Sequence, residues 1–179
     1  MIKVIPDSSF YICFIDDIKE PKYLIRVMSA NVMEFIIGQK IKEETKKSQN
    51  YNAIEIPIDN HTQSFEYYEY GEILKPFFSA EEIKKGEDEV IVISYVMYHL
   101  GIAFIPIIDE DDSRNFVEKN FPELWEKLVG TVGFIELCYC KYKIFSKNEC
   151  ILLLNKIKRS KFRIKNLIIE ETVERIRRC

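Results

Sequence analysis

Long apolar runs are missing from this chain of 179 residues. No stretch approaches the roughly 18 apolar residues that suggest a membrane span. Its start, Met1-Ile2-Lys3-Val4-Ile5, lacks an apolar h-region and a small-residue cleavage site. These absences predict a cytoplasmic protein with no membrane partner. Histidine is scarce, with only His61 and His99, and no Ser-His-Asp or Cys-His arrangement is evident. Both histidines, and the single Trp125 near Pro122, read as packing residues. No P-loop and no G-x-G-x-x-G occur, which argues against a nucleotide cofactor. The five cysteines form no framework: Cys138 and Cys140 make C-x-C, not the C-x-x-C of common zinc sites. They read as ordinary helix residues in a reducing compartment.

What is present fits a single domain, 1–179, long enough to bury a core. The apolar fraction of 47% and charged fraction of 31% are those of a soluble globular protein. The net charge of -3 hides an asymmetry. Residues 109–112 read Asp-Glu-Asp-Asp, whereas 156–165 hold Lys156, Lys158, Arg159, Lys161, Arg163 and Lys165. Such a pairing suits a protein that binds a metal and a polyanion. A single charged run is more often a solvated face.

Strands alternate with helices along the chain. Residues 2–6 read as a buried strand, followed by Asp7-Ser8-Ser9 as cap chemistry for a helix from about Phe10 to Asp17. Pro21 fits a helix start, with the helix running to about Met28. A second strand covers 32–37, and 39–48 has helical composition. Residues 54–58, Ile-Glu-Ile-Pro-Ile, alternate like an edge strand, and 59–80 is aromatic and irregular. Helical periodicity returns at Ser79. Val90, Ile93, Met97 and Leu100 share a face of the helix to Leu100, and Gly101 stands at its C′ position. Residues 103–108 make the clearest strand. A short helix from Ser113 to about Lys119 follows, and Pro122 to Lys127 is a connection. Residues 128–131 form a last short strand, with Thr131 as a cap. The C-terminal part is a helical hairpin, 132–145 and 148–158, and an amphipathic helix, about 166–177. This order implies an α/β fold with a mainly parallel central sheet flanked by helices.

Four acids stand at informative places. Asp7 and Asp109 each end an apolar strand, where open α/β sheets bind ligands. Glu44 lies on the polar helix after Gly38, and Glu87 opens the long apolar helix after Gly86. Together they would make an all-oxygen site for a hard divalent cation. Each also has an ordinary reading: Asp7 and Asp109 as caps, Glu44 as a solvated helix residue, Glu87 as a favourable charge at a helix start.

These motifs, in this order, resemble PIN-domain ribonucleases of the VapC-related, toxin-like subgroup. The residues that carry the resemblance are the strand into Asp7-Ser8-Ser9, Ile37 to Glu44, Gly86 to Ile91, Ile108 to Arg114, and Val129-Gly130-Thr131-Val132-Gly133. It spans most of the chain and is weakest between about 48 and 80. It implies a three-layer PIN-like fold that includes the C-terminal helices, about 131–177. It also implies an endoribonuclease using Mg²⁺ or Mn²⁺ on Asp7, Glu44, Glu87 and Asp109, restrained as a toxin by a small antitoxin and forming a homodimer. Ser9, Arg114 and Asp112 would support the site. Lys156, Lys158, Arg159, Lys161 and Arg163 would contact RNA. The pattern departs at Gly38, where the family usually has Pro, which leaves Glu43 or Glu44 as the second acid. It departs again at Asp111 and Asp112, where basic residues are common. The alternative is a PIN-fold RNA-binding or protein-interaction module with weak or no cleavage.

Overall fold

A computed structural model of the chain describes residues 1–67 and 84–179. Four parallel strands form one sheet in the order β3-β2-β1-β4. They are β1 (Ile2–Pro6), β2 (Met33–Ile37), β3 (Thr62–Ser64) and β4 (Phe104–Ile107). Val4 and Ile5, on opposite faces of β1, are both fully buried, as expected where helices cover a parallel sheet on both sides. Beyond β4, Val129 makes a parallel bridge to Ile107. Chain order therefore reverses between neighbouring β1 and β4. From β1 the chain leads on to β2 and β3; from β4 it leads to Val129 on the other side. Ligands of open α/β sheets bind at such a switch point, beyond the strands' carboxyl ends.

The helices are α1 (Ser8–Ile12), continued by a π-helical turn over Cys13–Asp17, then α2 (Pro21–Met28), α3 (Gln39–Thr45) and α4 (Glu55–His61). After them come α5 (Gly86–His99), α6 (Asp111–Asn120), α7 (Pro122–Trp125), α8 (Thr131–Cys140), α9 (Lys147–Lys158) and α10 (Asn166–Arg178). Val90 to Ile93, Val96 and Met97 of α5 are all buried, and α5 packs on β4 and β1. Phe10, Phe35 and Phe134 meet with ring centroids 5.5–6.3 Å apart, joining α1, β2 and α8. The two contacts of Phe134 are edge-on, a geometry that adds to the area it buries.

Several sequence expectations change. Residues 55–61 are helix, not edge strand. Ile54 and Ile58 are buried while Ile56 is exposed, so the apparent alternation is the i, i+4 spacing of a helix. Pro57 is tolerated in the first turn because that N–H has no intrahelical acceptor anyway. Leu100 is half-exposed at the C-cap of α5 instead of sharing its buried face. Gly101, at φ 67°, closes that helix: its N–H donates to Tyr98 and that of Ile102 to Met97. Thr131 is the first residue of α8, and Gly130 occupies the cap position. Cys140 and Cys179 are joined as a disulfide, Cα–Cα 5.9 Å, tying the end of α8 to the end of α10. The other three cysteines are buried and free. Residues 68–80 of the aromatic stretch, with the onset of periodicity at Ser79, lie outside the described residues. Among the described residues no helix is long and apolar enough to cross a membrane.

Gly38 has a physical reason. The buried Glu89 carboxylate accepts from the N–H of Ile41 at 2.8 Å, closing the N-terminus of α3, and Tyr67 donates to it as well. A Cβ on residue 38 would lie 2.0 Å from the Glu89 carboxyl carbon. Gly38→Ala should lower stability by about 1–3 kcal/mol, and the loss should shrink in a Glu89→Ala background. Urea unfolding of the two single variants and the double variant measures this coupling. An equal cost of Gly38→Ala in both backgrounds would rule the contact out.

Candidate active site

Asp7 directly follows β1 and Asp109 stands two residues past the end of β4, and the pairing of Pro6 with Ile107 brings them together at the switch point. Asp7 is fully buried. One of its oxygens accepts from the N–H of Phe10 at 2.9 Å, capping α1, and the other accepts from the N–H of Asp109 at 3.4 Å. Asp109 is partly exposed. It accepts from the N–H of Thr131 at 2.8 Å and from its hydroxyl at 2.5 Å, at the start of α8. Gly130 makes this approach possible, since a Cβ there would lie 2.8 Å from Oδ1 of Asp109.

Glu44 is the member of the Glu43–Glu44 pair that turns inward. It accepts from the Ser8 hydroxyl at 2.7 Å and from the N–H of Gly86 at 3.2 Å, at the start of α5. Glu43 lies at the surface and bonds Gln39. Glu87 is half-buried on the first turn of α5. The hydroxyl that supports an acid is therefore that of Ser8, and among the described residues Ser9 makes no side-chain hydrogen bond. Arg114 donates to the carbonyl of Ile108 at 2.9 Å and stacks over Trp125, which braces the strand end before Asp109. Asp112 is exposed. The acidic run is explained by α6: Glu110 caps it through Ser113, and Asp111 and Asp112 occupy its first turn.

The charges oppose one another. Burial, then repulsion from Asp109 and Glu87, pushes the Asp7 carboxyl well above the usual carboxylate range, although bonds from the Phe10 and Asp109 N–H groups pull the other way. Burial raises Asp109, against the hydrogen bonds from Thr131 and the charge of Arg114. Burial also raises Glu87, with repulsion from Glu44 and Glu110 adding to it. Thus the four acids share one electrostatic environment. Their oxygens are the hard donors that suit Mg²⁺ or Mn²⁺. Yet among the described residues no three acid, histidine or cysteine side chains are gathered as a group that could hold one ion. The donor chemistry fits a divalent cation; the present side-chain spacing is not that of a closed coordination shell.

The basic run divides. Lys156 is ion-paired with Glu20, and Lys158 with Glu170 at 2.6 Å. Lys161 lies where its charge is felt by Asp17, and Arg159 is exposed. Arg163 lines a cavity of about 630 Å³ that Asp109 also lines. Sequence reasoning passes over Glu89 and reads Ser8 and Thr131 only as helix-cap residues, because the acids or helix end that each meets are distant in the chain. It also passes over Tyr11, whose buried hydroxyl has no hydrogen-bond partner among the described residues.

In metal-free protein the raised folded value of Asp7 fixes a sign. Between the unfolded carboxylate value, about 4, and that higher folded value, the folded state binds more protons than the unfolded chain. Stability therefore falls as pH rises through this window. Asp7→Asn removes the ionisation. In EDTA its thermal midpoint, taken relative to that of the parent, should be higher at pH 7 than at pH 4. A gap that does not change with pH would contradict this account of Asp7.

No family model matches the chain, and no curated protein or solved structure is significantly similar to it; the resemblance to PIN-domain ribonucleases rests on the motifs quoted above.

Proposed function

We propose that this protein is a divalent-metal-dependent endoribonuclease with a PIN-like fold, hydrolysing RNA phosphodiesters at Asp7, Glu44, Glu87 and Asp109. One observation carries the reading. Asp7 and Asp109 are adjacent at the switch point of the parallel sheet, and Glu87 and Glu44 add like charge to the same place. Concentrated carboxylates are costly without a cation, and this is the end of the sheet where ligands bind.

Bound there, Mg²⁺ or Mn²⁺ would supply an activated water and neutralise charge on the reacting phosphate. The chain's own residues provide orientation. Thr131 fixes both oxygens of Asp109, and Ser8 and Gly86 fix those of Glu44. Asp7 links α1 to the Asp109 backbone, so the two strand ends hold one geometry. Arg114 holds the strand end behind Asp109. On this reading the protein acts in the cytoplasm. A small antitoxin and a second copy of the chain are the partners that the toxin-like resemblance brings with it.

A second reading is a PIN-like RNA-binding or protein-interaction module with weak or no cleavage. It is favoured by the spacing of the acids, whose oxygens are largely engaged by helix N-termini. Purified protein should cleave RNA in Mg²⁺ or Mn²⁺ and not in EDTA, and Asp7→Asn should abolish cleavage with the fold retained. Mg²⁺ should also raise the thermal midpoint of the parent at pH 7 and leave that of Asp7→Asn unmoved. Cleavage that persists in EDTA or in the Asn variant would sink the mechanism. No cleavage and no Mg²⁺-dependent shift would favour the second reading.

A further inference from the structure

The cavity beside Asp109 has a polar structure of its own. Its lining includes Asp109, Glu110 and Asp111, and also Arg163 and Lys165 from the segment that joins α9 to α10. Ile164, Ile168, Val129 and Val132 supply an apolar wall. The volume of about 630 Å³ falls within the range of small-ligand pockets. It suits one nucleotide unit and is too small for a duplex.

The commitments of the basic residues decide which of them can serve a ligand. Lys156 and Lys158 are taken up by Glu20 and Glu170. Arg175 also lines the cavity, but its guanidinium is bidentate on Glu136, with its shorter contacts at 2.8 Å, and also bonds Thr172. Arg163 and Lys165 are exposed and, among the described residues, have no ion pair or side-chain hydrogen bond. Two cations that are uncommitted among the described residues thus share a cavity with Asp109, one of the four site acids, together with an apolar wall. An anion is drawn to them and repelled by the acids, so this part of the cavity takes charge of the opposite sign from a metal site.

We propose that Arg163 and Lys165 form a subsite for a non-scissile phosphate of the RNA strand, with the adjoining nucleoside resting on Ile164 and Ile168. The proposal rests on the acid cluster being the cleavage site, and it narrows the basic run to the part that reaches it. Phosphate contacts of this kind position a strand without reading its sequence. The apolar wall has no hydrogen-bond donors of its own to select one base.

The test uses a fluorescent, single-stranded RNA oligonucleotide and anisotropy titrations in EDTA, where metal-dependent hydrolysis does not run, over a range of salt. The Arg163→Ala/Lys165→Ala variant should bind more weakly, with a salt slope smaller by about 0.7 for each lost contact. The Lys156→Ala/Lys158→Ala variant should bind like the parent. Ile168→Ser, at a site already 42% exposed, should weaken binding and leave the salt slope alone. Circular dichroism and thermal midpoints establish that each variant is folded. Unchanged affinity and slope in Arg163→Ala/Lys165→Ala, or an equal loss in Lys156→Ala/Lys158→Ala, would overturn the subsite. The two readings fail separately. Cleavage that ignores Asp7→Asn removes the cleavage site while a weakened Arg163→Ala/Lys165→Ala keeps the phosphate subsite; cleavage lost in Asp7→Asn with oligonucleotide binding unaltered does the reverse.

Discussion

A helix N-terminus leaves backbone N–H groups without intrahelical acceptors, and among the described residues three such ends are closed by carboxylates from distant parts of the chain. Glu89 closes α3 through Ile41, Glu44 closes α5 through Gly86, and Asp109 closes α8 through Thr131. Asp7 closes α1 locally and then reaches Asp109. An N-cap is ordinarily worth about 1 kcal/mol. Here each also joins two elements, so helix ends and acids are fixed by the same bonds. Glycine recurs at these joints because the carboxylate occupies the space of a side chain: at Gly38 beside Glu89, at Gly86 beside Glu44, and at Gly130 beside Asp109.

This arrangement places the acid site under opposing forces. The helix N-termini attract the carboxylates, while burial and mutual repulsion disfavour their charges. Helix donors lower the cost of gathering acids at the sheet's carboxyl edge, and burial with repulsion leaves a demand for positive charge. Asp7 and Glu87 both show the remainder, because repulsion from Asp109 and Glu87 is among the causes of the raised value of Asp7, and repulsion from Glu44 and Glu110 among those of Glu87. The strand order adds a geometric reason for the same location, since the chain parts to opposite sides after β1 and β4.

The C-terminal helices complete the surroundings of this edge. α10 packs on α8 and α9, and its first turns contribute Ile168 and Thr172 to the cavity that begins at Asp109. The Cys140–Cys179 disulfide joins the ends of α8 and α10 that lie furthest from the acids in sequence. A cross-link of this kind limits the separation of the two helices whose opposite ends border the cavity. Cys138, two residues before Cys140, is buried and free, so the C-x-C spacing brings one sulfur to the interior and one to the link.

Periodicity and strand-end chemistry were legible in the sequence. The buried strands 2–6 and 103–108, the Pro21 helix start, the Gly101 helix stop and the acids after two strands all follow from local rules of backbone and side chain. Local rules were insufficient where two periods coincide, as in 54–58, where Ile54 and Ile58 fit both a strand and a helix and burial of one helical face decided. They could not assign Ser8 to Glu44, Thr131 to Asp109 or Glu89 to the start of α3, because each pairing crosses 22 to 48 residues. Nor could they divide the basic run, since a lysine's availability depends on whether a distant Glu20 or Glu170 has already engaged it. The sequence by itself determined the alternating elements and the acids that end or begin them, because these depend on neighbours one turn away. Only the tertiary structure decided which acid meets which helix end and which cations remain uncommitted beside Asp109, because those outcomes depend on where the sheet order brings remote residues together.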